Sequence, residues 1–204
     1  MAQVATAVEA TLGGQPDTAQ YVDESSFTKK GEASVGVQRQ YCGRLGKAEN
    51  CQVGVFASLG CGTRAALVDL RLFLRAAWAD NPARCAKAKV PEDQCVHRTK
   101  PELALAMIAA ARARGSTPRW VGADEVYGNS HAFTDGLDKL GEIFVVDVAG
   151  KNGGGPATRV GRRPRPLPGN PVGPATVPNR RRKLKKRCAW IGSPRSASKP
   201  KRAQ

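Results

Sequence analysis

Two aspartates, Asp23 and Asp124, each follow a short run typical of a β-strand: residues 19–22 (AQYV) and 120–123 (WVGA). In open α/β sheets, ligands bind beyond the carboxyl ends of the strands, so the two carboxylates converge if these strands are neighbours. Converging carboxylates hold hard cations such as Mg²⁺, and two such ions about 3.5–4 Å apart promote in-line displacement at a phosphodiester. Acids at strand ends are more often solvated turn residues, so spacing alone leaves both interpretations open.

Other polar residues give weaker signals. Lys29 and Lys30 lie shortly after the first aspartate and could contact DNA phosphate as point charges, although a solvated turn explains them equally. Cys85, Cys95 and His97 do not have the spacing of a zinc finger or ribbon, so we interpret them as incidental rather than as metal ligands.

The elements that must position the aspartates are strands in the first half of the chain and helices in the second. Apolar patterns predict further strands at 34–40, 52–59, 66–74 and 143–148. Alternation in the third of these predicts that four apolar residues share one face: Val68, Leu70, Leu72 and Leu74. A Thr99–Glu102 capping box begins a helix that ends at Gly115, and a second helix covers 130–141. This order predicts a mixed α/β sheet with right-handed parallel crossovers late in the chain.

Charge divides the chain into two parts. Residues 1–150 hold 17 basic and 17 acidic residues, whereas residues 151–204 hold 16 basic residues and no acid. The second part also holds 9 of the 14 prolines, so we expect a neutral body followed by a disordered basic tail. An evenly basic globule is excluded.

Targeting signals are absent from the sequence pattern. No run approaches eighteen apolar residues, which excludes a membrane-spanning helix, and the first residues lack the pattern of a secretory signal. The six cysteines form no CxxC pair, so we expect reduced thiols in a cytosolic protein.

Four stretches of the chain carry recognisable motifs: VDESSFTKKG at 22–31, SVGVQRQYCGRLGKAENCQVGVF at 34–56, TKPE at 99–102 and ADEVYG at 123–128. In this order they closely resemble the DDE transposases of bacterial insertion sequences, with the best match to the insertion-sequence 701 family of the insertion-sequence 4-like superfamily. The resemblance covers about residues 19–148, and the second stretch is its most specific part.

The resemblance implies an RNase H-like, retroviral-integrase-like fold with a catalytic triad of two aspartates and one glutamate. By position, Asp23 resembles the first acid and Asp124 the second, and both would bind Mg²⁺ or Mn²⁺ for DNA cleavage and strand transfer. Glu24 and Glu125 are expected to lie outside the ligand set, because successive strand residues face opposite sides. The resemblance also implies a bacterial cytoplasmic protein, on the nucleoid when bound to DNA, and self-association in full-length relatives.

The chain also departs from the family pattern. The third acid of the family lies downstream on a helix, whereas residues 151–204 contain no acid. We therefore expect an incomplete catalytic domain at 19–150, preceded by a flexible N-terminal segment at 1–18 and followed by the tail at 151–204. Because two carboxylates bind metal less well than three, we expect negligible strand-transfer activity.

The tail has two possible origins, a basic insertion that full-length relatives carry or a shift of reading frame near Gly150. In either case its basic run either binds DNA phosphates non-specifically or belongs to a solvated, disordered tail whose charge has no selected role, and the sequence leaves both interpretations open. The residues concerned are Arg180, Arg181, Arg182, Lys183, Lys185, Lys186 and Arg187. An alternative function is therefore that of a non-catalytic, basic nucleic-acid-binding protein acting through this tail.

Overall fold

The computed structural model describes residues 1–149 and 157–161. Its strands are β1 (Ala19–Thr28), β2 (Gln38–Cys42), β3 (Lys47–Cys61), β4 (Arg64–Leu72), β5 (Trp120–Ala123), β6 (Phe144–Val148) and β7 (Ala157–Gly161). Its α-helices are α1 (Ala2–Leu12), α2 (Ala76–Ala79), α3 (Pro82–Lys87), α4 (Lys100–Ala113), α5 (Glu125–Gly128) and α6 (His131–Lys139). The chain divides into residues 1–165 and 166–204, and every described residue belongs to the first unit.

The seven strands form one mixed sheet in the order β2-β3-β1-β5-β6-β7, with β4 also paired to β3. β3 is long enough for β2 to pair with residues 47–51 and β4 with residues 54–61. The pairs β1/β5 and β5/β6 are parallel, and the other pairs are antiparallel. The prediction of a mixed sheet with late parallel crossovers is therefore confirmed.

Helix α4 supplies the crossover that makes β1 and β5 parallel. Its start is fixed by the predicted capping box, in which Thr99 Oγ1 accepts a hydrogen bond from the backbone of Glu102 while the Glu102 carboxylate accepts one from the backbone of Thr99. One face of the helix is buried against the sheet through Leu103, Ala104, Met107, Ile108 and Ala111. Burial of this face stabilises the helix far more than its intrinsic propensity does.

The strands differ from their predicted bounds in ways that backbone pairing explains. The sequence pattern ends β1 near Val22, but residues 23–28 continue as a strand because they pair antiparallel with β3. The expected flexible N-terminal segment contains helix α1, in which Ala5 and Leu12 are buried. Residues 157–161 of the expected disordered tail form β7, paired with β6; the rest of the tail lies outside the described residues.

The predicted faces of β4 are wrong. A β-bulge between Ala57 and Ser58 leaves Val68 as an extra residue, so Asp69 pairs with Ala57 and faces the core. An extra residue exchanges the two faces of the strand beyond it. Leu70 and Leu72 are consequently 44% and 37% exposed.

The expectation of reduced thiols is wrong for two cysteines. Cys85 and Cys95 form a disulfide, which closes a short loop after α3, and His97 Nδ1 lies 2.7 Å from the Leu74 carbonyl oxygen. These contacts fix the positions of the three side chains. The cysteines Cys42, Cys51 and Cys61 are free thiols.

Candidate active site

Asp23 and Asp124 lie at the same end of neighbouring parallel strands. The last residues paired between β1 and β5 are Val22 and Ala123, and the two aspartates are the next residues of their chains. Adjacent strands lie about 4.8 Å apart, so the backbones of the two acids are close neighbours. The charge of Asp124 accordingly raises the pKa of Asp23.

Asp23 is half-buried in the middle of β1. Its Oδ1 accepts a hydrogen bond of 2.7 Å from the backbone N–H of Glu24. Burial raises the pKa of Asp23 to about 6, and the charges of Asp124 and Glu24 add to the rise. The Glu24 backbone bond and the charge of Lys100 oppose the shift. Asp23 is thus a carboxylate with too little positive charge around it.

Asp124 is exposed and caps the short helix α5. Its Oδ1 accepts a hydrogen bond of 3.0 Å from the backbone N–H of Val126. The pKa of Asp124 is raised first by partial burial and then by the charge of Glu24, while its backbone bonds to Val126 and Tyr127 lower it. Because Asp124 is open to solvent, we expect Asp23 to carry the stronger shift.

Glu24 faces the opposite side of β1 from Asp23, as strand alternation requires. On that side α4 packs, and Lys100 Nζ forms a salt bridge of 2.6 Å with Glu24 Oε1. The second carboxylate oxygen, Oε2, is buried without a hydrogen-bond partner among the described residues. Glu24 therefore adds a third negative charge near the two aspartates. Only one of its carboxylate oxygens contacts a positive group.

Tyr127 of α5 lies close to Asp23, Glu24 and Asp124. Its side chain is fully buried, and its hydroxyl has no hydrogen bond of ordinary geometry within the described part of the chain. Burial raises the pKa of Tyr127 far above its usual value, and contact with Glu24 and the charges of Asp23 and Asp124 raise it further. Tyr127 is consequently a neutral phenol whose O–H is available to a carboxylate oxygen.

The donor set suits a hard divalent cation. The side chains at the two neighbouring strand ends offer carboxylate oxygens, which Mg²⁺ and Mn²⁺ prefer, and the unpartnered Glu24 Oε2 together with the raised pKa of Asp23 marks excess negative charge. Within residues 1–149 and 157–161, no group of three His, Cys, Asp or Glu side chains is spaced to hold a metal ion. The site is therefore a pair of candidate ligands rather than a closed cage.

The other predicted DNA contacts are not brought to the acids. Lys29 and Lys30 are exposed beyond the end of β1, and the five strand residues between Asp23 and Lys29 place them roughly 20 Å along the strand. The predicted contacts at Arg180, Arg181, Arg182, Lys183, Lys185, Lys186 and Arg187 lie outside the described residues.

Two contributors to the site escape prediction from the sequence. The pattern marks Lys100 only as part of a helix start, and Tyr127 only as part of a motif. Strand alternation does indicate that Glu24 turns away from Asp23. It does not indicate what Glu24 meets there, because that depends on how α4 and α5 pack on the sheet.

Comparison with known proteins gives the family. The family model of the DDE superfamily endonucleases matches residues 1–201. The chain belongs to this family. A curated relative, the probable transposase for insertion sequence element IS701 of Microchaete diplosiphon, is 31% identical over 132 residues, which are 62% of this chain and 30% of the relative. The chain thus spans about 30% of the length of the curated relative that it matches.

Membership of the DDE superfamily endonucleases confirms the resemblance inferred from the four motifs. The seven-strand sheet with its flanking helices is the RNase H-like arrangement that the resemblance implied. Among the described residues, no helix of this endonuclease-family chain is long and apolar enough to cross a membrane.

We expect the variant Asp23→Asn to be more stable than the parent chain at pH 7.5, by about 2 kcal/mol. The folded state raises the pKa of Asp23 from 3.8 to about 6, so it favours the protonated acid. Burial of the ionised group therefore costs stability above pH 6, and that cost disappears as the pH falls towards 4. Urea unfolding of both proteins at pH 7.5 and 4.5 measures this. A variant less stable than the parent at pH 7.5 would contradict a raised pKa of Asp23 in the folded state.

Proposed function

We propose that Asp23 and Asp124 bind Mg²⁺ or Mn²⁺, and that this site serves DNA cleavage and strand transfer in the transposition of an insertion sequence. The observation that carries the proposal is the register of β1 and β5, whose last paired residues immediately precede the two acids. Family membership and the transposase relative support DNA as the substrate. We further propose that the protein acts on the bacterial nucleoid, in the cytoplasm.

In this proposal the two aspartates and Lys100 have different roles. Asp23 and Asp124 would hold the cation from two strands whose positions the sheet fixes. Lys100 draws Glu24 towards α4 through their salt bridge, which lowers the repulsion that Glu24 exerts on the aspartates. A bound divalent cation supplies the polarisation of a phosphodiester oxygen and an activated water.

We also propose that the chain, as it stands, has negligible strand-transfer activity. The described residues offer two candidate ligands and no group of three, and each absent anion leaves more of the cation's charge unbalanced. The test is incubation of the protein in about 5–10 mM Mg²⁺ with DNA that carries the insertion-sequence ends. This is roughly the concentration at which weak sites with millimolar affinity fill. We expect no more nicked or joined product than from Asp124→Ala. Product that is lost in Asp124→Ala would contradict the proposal.

A second candidate function rests on the charge of residues 151–204, which hold 16 basic residues and no acid. Under it the chain is a non-catalytic DNA-binding protein that acts through its tail. Because β7 ends at Gly161, the informative truncation follows residue 165 rather than residue 150. Loss of all DNA binding on that truncation, with no Mn²⁺ binding by the remaining chain, would favour this second function. Mn²⁺ binding that survives it would favour the first.

A further inference from the structure

A basic groove lies between β4, the loop after α3 and the start of α4, and has no assigned role. Its volume is about 470 Å³, and three cationic side chains from separate segments line it: Arg71 of β4, Lys89 after α3 and Arg98 before α4. Among the described residues, Asp93 is the one acid that lines it. The groove therefore presents a net positive surface.

The three cations are available to a ligand. All three residues are exposed. Within the described part of the chain, Lys89 and Arg98 form no salt bridge, and the one contact of Arg71 is a long pair of 3.4 Å with Asp69. Exposed pairs of this kind contribute little energy, so an anionic ligand that replaced the Asp69 contact of Arg71 would give up little stabilisation.

The backbone at Lys89 supports a functional interpretation. Lys89 has φ +57° and is the one non-glycine residue with positive φ among the described residues. It follows the end of α3, a position where glycine is favoured because a side chain there costs roughly 1 kcal/mol. Strain of this kind clusters at functional sites. Here the strained residue is a lysine, so the loop closed by the Cys85–Cys95 disulfide carries a positive side chain that a glycine would not provide.

Apart from Pro91, Asp93 and Gln94, the remainder of the lining is aliphatic. Leu72, Leu74, Val90 and Leu103 are among the residues that contribute it. No aromatic side chain of residues 1–149 or 157–161 lines the groove, so it offers phosphates a positive charge and sugars an apolar surface, without a platform on which bases stack. Positive side chains contact the phosphates of a nucleic acid irrespective of its sequence.

The groove lies on the α4 side of the sheet, which is the side that Glu24 faces. Leu103 lines it, and Lys100, one turn earlier on α4, forms the salt bridge with Glu24. Arg98 lies two residues before Lys100. A nucleic-acid strand that follows the positive side chains from Lys89 to Arg98 thus reaches the end of α4 at which Lys100 contacts Glu24.

We propose that this groove holds the backbone of one DNA strand, with its phosphates on Arg71, Lys89 and Arg98. A cavity of 470 Å³ lies within the range of roughly 300–1,000 Å³ that accepts small ligands and is too small for a duplex. The inference rests on the proposed function only in taking DNA as the substrate.

The test is a titration of the full-length, ¹⁵N-labelled chain with the single-stranded oligonucleotide (dT)8, without divalent metal, followed by amide NMR. We expect shifts at residues 71–74, 89–94 and 98. The triple variant Arg71→Gln/Lys89→Gln/Arg98→Gln should lose them. The matched variant Arg39→Gln/Arg64→Gln/Arg114→Gln, at exposed arginines outside the groove, should keep them. The salt slope of log K should fall by about 2 in the groove variant, since each lost phosphate contact on a single strand contributes about 0.7.

Groove amides that stay unmoved at saturation, or shifts that persist in the groove variant, would overturn the proposal. Equal shifts with a duplex of the same length would also overturn it, because the occupant would then not be a single strand. As no metal is present, these outcomes are independent of whether Asp23 and Asp124 bind a cation.

Discussion

The variant Gly128→Ala is expected to lose about 3 kcal/mol or more of its free energy of unfolding. A Cβ atom at Gly128 would overlap the backbone carbonyl oxygen of Asp147 and would lie 3.1 Å from the Cβ of Val146. Both neighbours belong to β6, which is held in the sheet by β5 and β7. A backbone in the middle of a sheet cannot move aside as a flexible side chain can, so the strain falls on α5.

Urea unfolding measures the effect, with Gly43→Ala as the matched control. Gly43 is exposed and has no positive φ, and a Cβ atom at this position would meet no atom of the described residues within 4 Å. Its substitution should therefore change stability by less than about 0.5 kcal/mol. A Gly128→Ala variant as stable as Gly43→Ala would show that α5 does not pack on β6 as described.

The same substitution should disturb the candidate site, because Gly128 is the last residue of the helix that Asp124 caps. A displaced α5 moves Asp124 relative to Asp23, which β1 holds independently. We therefore expect Gly128→Ala to weaken Mn²⁺ binding even at temperatures where the variant remains folded.

The double variant Asp23→Asn/Asp124→Asn is expected to bind Mn²⁺ at least 100-fold more weakly than the parent chain. Substitution of residues that merely support metal ligands costs about 10–100-fold in affinity, and loss of two charged ligands should cost no less. The exchange removes both negative charges and retains the shapes of the side chains. Asp23→Asn should also be more stable without metal, which separates a loss of binding from a loss of folding.

Isothermal titration calorimetry at pH 7.5 measures this affinity, and Asp135→Asn is the control. Asp135 is an exposed acid of α6 and is not among the main causes of the pKa shift of either aspartate, so its variant should bind like the parent. Affinity for Mn²⁺ should also fall below pH 6 in the parent chain, since protons then compete for Asp23. Undiminished binding by the double variant would mean that the cation binds elsewhere.

The sequence was sufficient to predict the elements whose residues carry local signals. The capping box at Thr99 and the apolar stripe of α4 determine that helix, and the short runs before Asp23 and Asp124 mark the two strands that are parallel neighbours in the fold. Periodicity and capping act within a few residues, so they can be read without knowledge of the fold.

Features that depend on a partner strand or helix could not be predicted in this way. The extension of β1 to Thr28 follows from the length of β3, and the exchanged faces of β4 follow from a bulge at its pairing with β3. The contact between Glu24 and Lys100 joins residues 76 positions apart. Its existence depends on the packing of α4 over β1, which no local pattern of the chain specifies.

The proposed function requires that Asp23 and Asp124 bind one divalent cation together. Paramagnetic broadening of the amide NMR signals of the full chain by substoichiometric Mn²⁺ locates the cation without reference to activity. We expect the signals of Asp23, Glu24, Asp124 and Glu125 to broaden first and together, and Asp23→Asn/Asp124→Asn to abolish this. Broadening centred on other acids, or at only one of the two strand ends, would contradict joint binding.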